Sequence, residues 1–334
     1  YSLTIQANDP AKITPKALTF SGLSVPSSKV YNGNRSADVA GSPGVLQTSI
    51  AAGSGSSSDG KPYTGDQVNL TGTAIGTYNT KDVATATVVS FSGISLAGQQ
   101  SSNYSLTPHT TQNASITVKT ITITGAVASN KVYDATTVAT VTNGQLQGVE
   151  SIDASTVVLK QAGIFASKDV GVNIGVTSDC SISGADATNY SLTQPTLASK
   201  NISKKELTMS GLTVPATKIY DATTKVIVGG AATLKSAIAP GTGTDDDGTP
   251  YTGDLVNISG TVIGTYNSKD VNTANKVTFS GLSLSGLQSI NYNLKIQEPS
   301  ISAITKKKLT MFGLSVADTK VYDGNINAKL TGTA

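Results

Sequence analysis

The sequence is nearly bare of the residues on which most catalytic and redox chemistry depends. Its 334 residues include one cysteine, one histidine, two methionines and no tryptophan. A single Cys180 excludes an intrachain disulfide framework and reads as a small buried side chain rather than a nucleophile. A single His109, in a Thr/Pro/Gln-rich stretch, gives a Ser-His-Asp arrangement its base only once along the chain; it reads as a surface-loop histidine, and no catalytic residue is assigned. Charged residues make up only 13%, and the 24 basic residues against 21 acidic ones are dispersed. No basic, aromatic-interleaved patch for nucleic acid exists. No apolar run approaches the roughly 18 residues that carry a helix across a bilayer. No stretch keeps an apolar stripe at helical spacing, and Glu, Leu, Met and Ala never cluster.

What is present is Val, Ile, Thr, Ser and Gly, spread evenly, with a net charge of only +3. Disorder generally needs higher net charge and fewer β-branched residues, so this composition favours folded β-structure. The same words also return in the same order. Lys29-Val-Tyr-Asn-Gly, Lys131-Val-Tyr-Asp-Ala, Lys218-Ile-Tyr-Asp-Ala and Lys320-Val-Tyr-Asp-Gly place Tyr31, Tyr133, Tyr220 and Tyr322 at steps of 102, 87 and 102 residues. Lys-Asp-Val follows at Lys81, Lys168 and Lys269, and Asn-Tyr-x-Leu at Asn103, Asn189 and Asn291. A repeat of this kind, alternating long, short and long, defines the architecture before any single element does. It predicts the tail of a preceding repeat over 1–12, a long repeat over 13–115, a short one over 116–201, a long one over 202–303 and the start of a fourth over 304–334. The length difference lies in Gly/Ser/Asp-rich inserts, 51–66 and 239–254, which read as surface loops or extended hairpins.

Each repeat reads as strands. In Leu207-Thr-Met-Ser-Gly-Leu-Thr-Val the apolar positions 207, 209, 212 and 214 alternate, then slip by one residue at Ser210-Gly211. Such a slip predicts a β-bulge or kink, here and at the matching Gly22, Gly93 and Gly281. The Tyr-Asp-Gly/Ala step predicts an Asx-type turn led by Asn32, Asp134, Asp221 and Asp323. Because Ala135 and Ala222 stand where other copies have Gly, no positive φ is expected there. The tyrosine is expected to bury its ring and send its hydroxyl to a backbone partner. Ala198-Ser-Lys-Asn-Ile runs into Ser203-Lys-Lys-Glu-Leu-Thr without a flexible linker, so one repeat's closing strand leads directly into the next repeat's opening strand. The expected fold class is therefore all-β: a tandem array of small β-sandwich-like modules forming an elongated rod.

Lys-Val-Tyr-Asp-Gly, then Gly-Thr-Tyr-Asn-x-Lys-Asp-Val, then Asn-Tyr-Ser-Leu and a closing Ala-x-Ile-x-x-Lys resemble the YDG-type repeat of large bacterial surface adhesins, which are similar to filamentous-haemagglutinin-like proteins. The resemblance covers nearly the whole chain; the middle copies depart from it with Ala for Gly. It implies tandem all-β domains outside the cell, associated with the outer membrane, often after two-partner secretion. The scarcity of oxidisable residues fits that setting. It implies no ligand. The expected role is a structural stalk projecting a binding tip. The alternatives are a self-associating filament or biofilm-matrix protein, and a module binding glycans or proteins through its long inserts. Expected partners are neighbouring repeats of the same chain, other copies of it, or surface glycans and proteins.

Some residues invite sharper ideas. Asp245, Asp246 and Asp247 gather carboxylates as a calcium loop does, the one cofactor the chain suggests, although the matching Ser57-Ser58-Asp59 holds a single acid. Tyr63 and Tyr251 beside the inserts could stack on sugar rings or anchor the loops. Lys-Asp-Val raises the idea of Lys–Asp/Asn isopeptide bonds; a plain salt bridge is the simpler expectation, since Glu150, Glu206 and Glu298 do not recur between copies.

Overall fold

A computed structural model of the chain describes residues 1–3, 10–44 and 46–334. The tail expected over 1–12 falls partly on residues 4–9, outside the described residues; its described part is exposed. The fold is all-β, with sheets of two to four strands. The helical segments among the described residues are single 3-10 turns, such as Ser151–Asp153 and Ala187–Asn189. Two compact units contain the chain: Tyr1–Ser129, Val138–Ile164 and Val176–Ala198 in one, Asn130–Thr137, Phe165–Gly175 and Ser199–Ala334 in the other. The second repeat contributes segments to both.

The third repeat, in the second unit, illustrates the module. Its opening strand Lys205–Thr213 pairs parallel with Tyr292–Lys295 and antiparallel with Gly229–Leu234. A four-stranded sheet, in the order Lys225–Val226, Asn257–Tyr266, Lys276–Ser285, Ser300–Ile301, supplies the other side. Met209, Leu212, Tyr266, Val277, Phe279 and Ile304 fill the space between. Alternation is kept along Lys205, Leu207 and Met209, all buried, and then slips. The register shifts between Ser210 and Leu212, with Gly211 at φ +99°. The long hairpins slip in the same way opposite Gly93 and Gly281. Gly22 also adopts positive φ, +102°, where a Cβ would lie 2.6 Å from the Ser42 carbonyl oxygen.

In the first unit the first repeat follows the same plan. Lys16–Leu18 pairs parallel with Tyr104–Leu106, and Ser28–Val30 parallel with Ser115–Thr117. Parallel pairing of early with late strands closes each repeat, because parallel neighbours cannot be joined by a tight turn and need a long crossover. Adjoining repeats share continuous chain: only Val118 separates Ser115–Thr117 from Lys119–Thr124, and only Lys204 separates Lys200–Ser203 from Lys205–Thr213. The direct strand-to-strand passage read from the sequence is present at both places. Beyond Thr305, residues 306–334 are exposed, and Leu309 and Met311 stand open where Leu207 and Met209 are buried.

Two expectations require correction. Ala135 and Ala222 adopt φ +60° and +64°, beside Gly33 at +77° and Gly324 at +78°. The position does need the left-handed conformation, and Ala is held there against its preference. What holds it is the expected Asx turn plus a cap. Asp134 Oδ1 accepts the Thr136 N–H at 2.9 Å and Asp221 Oδ1 the Thr223 N–H at 3.0 Å. The signature lysines close the same turns. Lys131 Nζ reaches Asp134 at 2.6 Å and the Thr136 carbonyl at 2.7 Å. Lys218 Nζ reaches Asp221 at 2.8 Å and the Lys225 carbonyl at 2.6 Å. Lys29 does the same to Asn32 at 2.7 Å, and Lys320 to Asp323 at 2.8 Å. The second correction concerns the hydroxyls of Tyr31 and Tyr133, which find carboxylates rather than backbone, while Tyr220 is half-buried and Tyr322 is exposed.

Candidate functional site: the joint between repeats

The motifs that recur in sequence converge where one repeat meets the next. In the first unit Tyr31, 1% exposed, donates its hydroxyl to Asp153 Oδ2 at 2.7 Å. Asp153 belongs to the second repeat and is itself 1% exposed. Tyr190 of that repeat donates to the same oxygen at 2.7 Å, and its hydroxyl accepts the Glu150 N–H at 3.0 Å. The two rings meet edge to face at 5.3 Å, a favoured aromatic geometry. Lys81 Nζ donates to the Tyr31 hydroxyl at 3.1 Å, stands 3.8 Å from Asp153 Oδ1 and pairs with Asp186. The backbone is bridged as well: Asn189 Oδ1 accepts the Val83 N–H at 2.9 Å while its Nδ2 donates to Asp82 at 3.3 Å.

The second unit builds the same joint from the second and third repeats. Tyr133 and Tyr292 both donate to Asp254 Oδ2, at 2.9 and 2.6 Å, with ring centroids 5.3 Å apart. Lys168 Nζ donates to the Tyr133 hydroxyl at 3.2 Å. Asn291 Oδ1 accepts the Val170 N–H at 3.0 Å and its Nδ2 donates to Asp169 at 2.9 Å. One repeat thus supplies a donor half, Tyr with Lys-Asp-Val; the next supplies an acceptor half, an acid with Asn-Tyr. Every polar group at the centre is matched, as burial requires.

Electrostatics agree with this assignment. Burial and the Asp153 carboxylate push Tyr31 up to about 12, and burial does the same to Tyr133. Burial opposes the Lys81 ammonium, but its bonds to Asp186, Tyr31 and Asp82 outweigh that and raise its pKa. Lys81 in turn holds Asp186 below the usual carboxylate range. The pair has the geometry of a salt bridge, the simpler expectation for the lysine of Lys-Asp-Val.

The other residues marked from sequence take structural places. Asp247 turns inward to Lys205 Nζ at 2.9 Å, and Lys205 has no exposed side-chain surface. Asp59 holds Lys16 at 2.8 Å in the matching place. Asp246 accepts the Thr244 hydroxyl at 2.8 Å and Asp245 is exposed, so the three acids diverge; among the described residues no metal-holding group occurs. Tyr251 is buried under Lys205, 4.9 Å from its ring centroid, and half-buried Tyr63 lies 4.3 Å from Lys16. His109 lies half-buried in the loop between Tyr104–Leu106 and Gln112–Asn113, its ring packed between Phe20 and Phe91 at 5.4 and 4.8 Å. Cys180 is buried. The joint acids escaped the sequence reading. Their signal was the Thr-Gly-Asp that ends at Asp66 and at Asp254, which the short copy replaces with Ser151-Ile-Asp153.

Fold and joint together define a tandem-repeat protein in which each all-β module carries both halves of a conserved-geometry lock. The YDG domain family matches residues 14–112, 117–197 and 203–301, which is well over half of the chain, and the chain belongs to that family. No curated protein and no solved structure matches it.

Proposed function

We propose that this chain is a stretch of the stalk of a bacterial cell-surface adhesin, standing outside the cell and holding a binding tip away from it. The observation that carries the reading is the carboxylate of each joint, fully buried at Asp153 and half-buried at Asp254, which binds one tyrosine from each of two successive repeats. A spacer needs its modules held at fixed angles, and a hydrogen bond inside a dry aromatic contact does that better than a screened surface ion pair. The chemistry is spent on holding repeats together, and no reaction is part of the reading.

A second reading has its own observation. Beside each long insert lies an open groove, walled by Leu46, Pro62 and Val68 in the first repeat and by Leu234, Pro250 and Val256 in the third. This favours binding of a glycan or polypeptide by the long repeats. Deleting an insert would remove Asp59 or Asp247 and expose a buried lysine, so substitution separates the readings better. The experiment places Ser54→Arg, Ser57→Arg, Asp245→Arg and Asp246→Arg together in the intact surface protein. A stalk retains full adhesion of cells to their substratum. Loss of adhesion at unchanged surface display would replace the stalk by the binding module.

A further inference from the structure

Each of the two joints uses one donor half and one acceptor half, which leaves one of each over. The spare donor half is on the third repeat: Tyr220, Lys269, Asp270 and Val271. Tyr220 is half-buried where Tyr31 and Tyr133 are sealed. The Lys269 and Asp270 side chains are 53% and 60% exposed, against 29% and 46% for Lys81 and Asp82. The Val271 N–H, unlike those of Val83 and Val170, meets no side-chain acceptor among the described residues. The spare acceptor half is on the first repeat. Tyr104 already donates to Asp66 Oδ2 at 2.5 Å and accepts the Tyr63 N–H at 2.9 Å, as Tyr292 does with Asp254 and Tyr251. Asn103 is exposed, whereas Asn189 and Asn291 are each 1% exposed.

We propose that the Tyr220–Lys269–Asp270–Val271 surface binds the acceptor half of a further repeat of this family, and that Asp66, Asn103 and Tyr104 receive the donor half of another. The occupant's chemistry is fixed by the two filled joints: a carboxylate for the Tyr220 hydroxyl, an Asn side chain whose oxygen takes the Val271 N–H and whose amide meets Asp270, and a tyrosine edge. The donor half of the third repeat, Tyr266-Asn-Ser-Lys-Asp-Val, matches that of the first, Tyr78-Asn-Thr-Lys-Asp-Val. The acceptor half of the first, Pro62-Tyr-Thr-Gly-Asp, matches that of the third, Pro250-Tyr-Thr-Gly-Asp. In both filled joints one partner is the short repeat, and the proposal extends the pairing to a long repeat following a long one. The inference rests on the joint as the stalk's lock.

The test is amide hydrogen exchange on two proteins: this chain, and residues 1–305 followed directly by a second copy of residues 15–117. In the extended protein the Val271 amide slows at least tenfold, to the rate of Val170 in the same molecule, and Asp66→Asn or Asn103→Ala in the appended copy returns it to the fast rate. Appending residues 15–203 keeps the added first repeat beside its own second repeat and serves if the shorter addition does not fold. Slow Val83 and Val170 with an unslowed Val271 overturns the inference and leaves the lock standing. Fast exchange at Val83 and Val170 in the unextended chain overturns the lock itself.

Discussion

The Tyr-Asp-Gly/Ala turn shows how far a residue can be read from sequence alone. The Asx oxygen was legible, because Asn and Asp at one position in four copies have few other shared uses. The backbone angle was not. Alanine suggested an ordinary conformation, yet a carboxylate bond and a lysine cap hold Ala135 and Ala222 at positive φ. The left-handed conformation costs a non-glycine residue about 1–2 kcal/mol, so Ala135→Gly and Ala222→Gly should each stabilise the chain by about 1 kcal/mol after the added entropy of the unfolded glycine. Denaturant midpoints of the single variants measure this. Gly33→Ala should do the reverse and more, since its Cβ would also lie 2.8 Å from Ile152 Cγ2 of the following repeat.

Among elements, period-two alternation made the strands visible, and the one-residue slip at Ser-Gly made the bulges visible. The pairing was not visible. Lys205–Thr213 lies beside Tyr292–Lys295, and which distant strand completes a parallel pair depends on the closed repeat rather than on local pattern. A bulge glycine set against a turn glycine gives a graded test. At Gly281 a Cβ would sit 2.3 Å from the Thr261 carbonyl oxygen; at Gly253, also at positive φ, it meets nothing within 4 Å. Gly253→Ala should cost about 1 kcal/mol, the conformational term alone. Gly281→Ala should cost about 3 kcal/mol, because the hairpin must also part. Equal costs would show that the bulge tolerates a side chain.

For the whole molecule, the joints set both the pH range and the cooperativity. Tyrosines whose folded pKa is raised contribute stability that is present below their ordinary 10.0 and is lost as pH climbs through about 12. Lys81, also raised, acts in the same direction. Asp186 is lowered, so its contribution is present above the ordinary 3.8 and is lost as pH falls below it. Thermal unfolding against pH should therefore show a plateau between about 4 and 10 with losses on both flanks.

Cooperativity follows from who shares the buried carboxylate. Asp153 is held in common by Tyr31 of the first repeat and Tyr190 of the second, so opening the second repeat strands the Tyr31 hydroxyl, and opening the first strips the buried carboxylate of one of its two donors. Asp66 is bound by Tyr104 of its own repeat. Asp153→Ala leaves the protons of two buried hydroxyls without an acceptor and should cost about 3 kcal/mol. It should also split the unfolding of the first two repeats into separate calorimetric transitions. Asp66→Ala, the same chemical change, should lower stability without altering how many transitions are seen. If the two variants split the transitions alike, or neither does, the shared carboxylate is not what couples neighbouring repeats, and their coupling must come from the aromatic contact and the continuous strand alone.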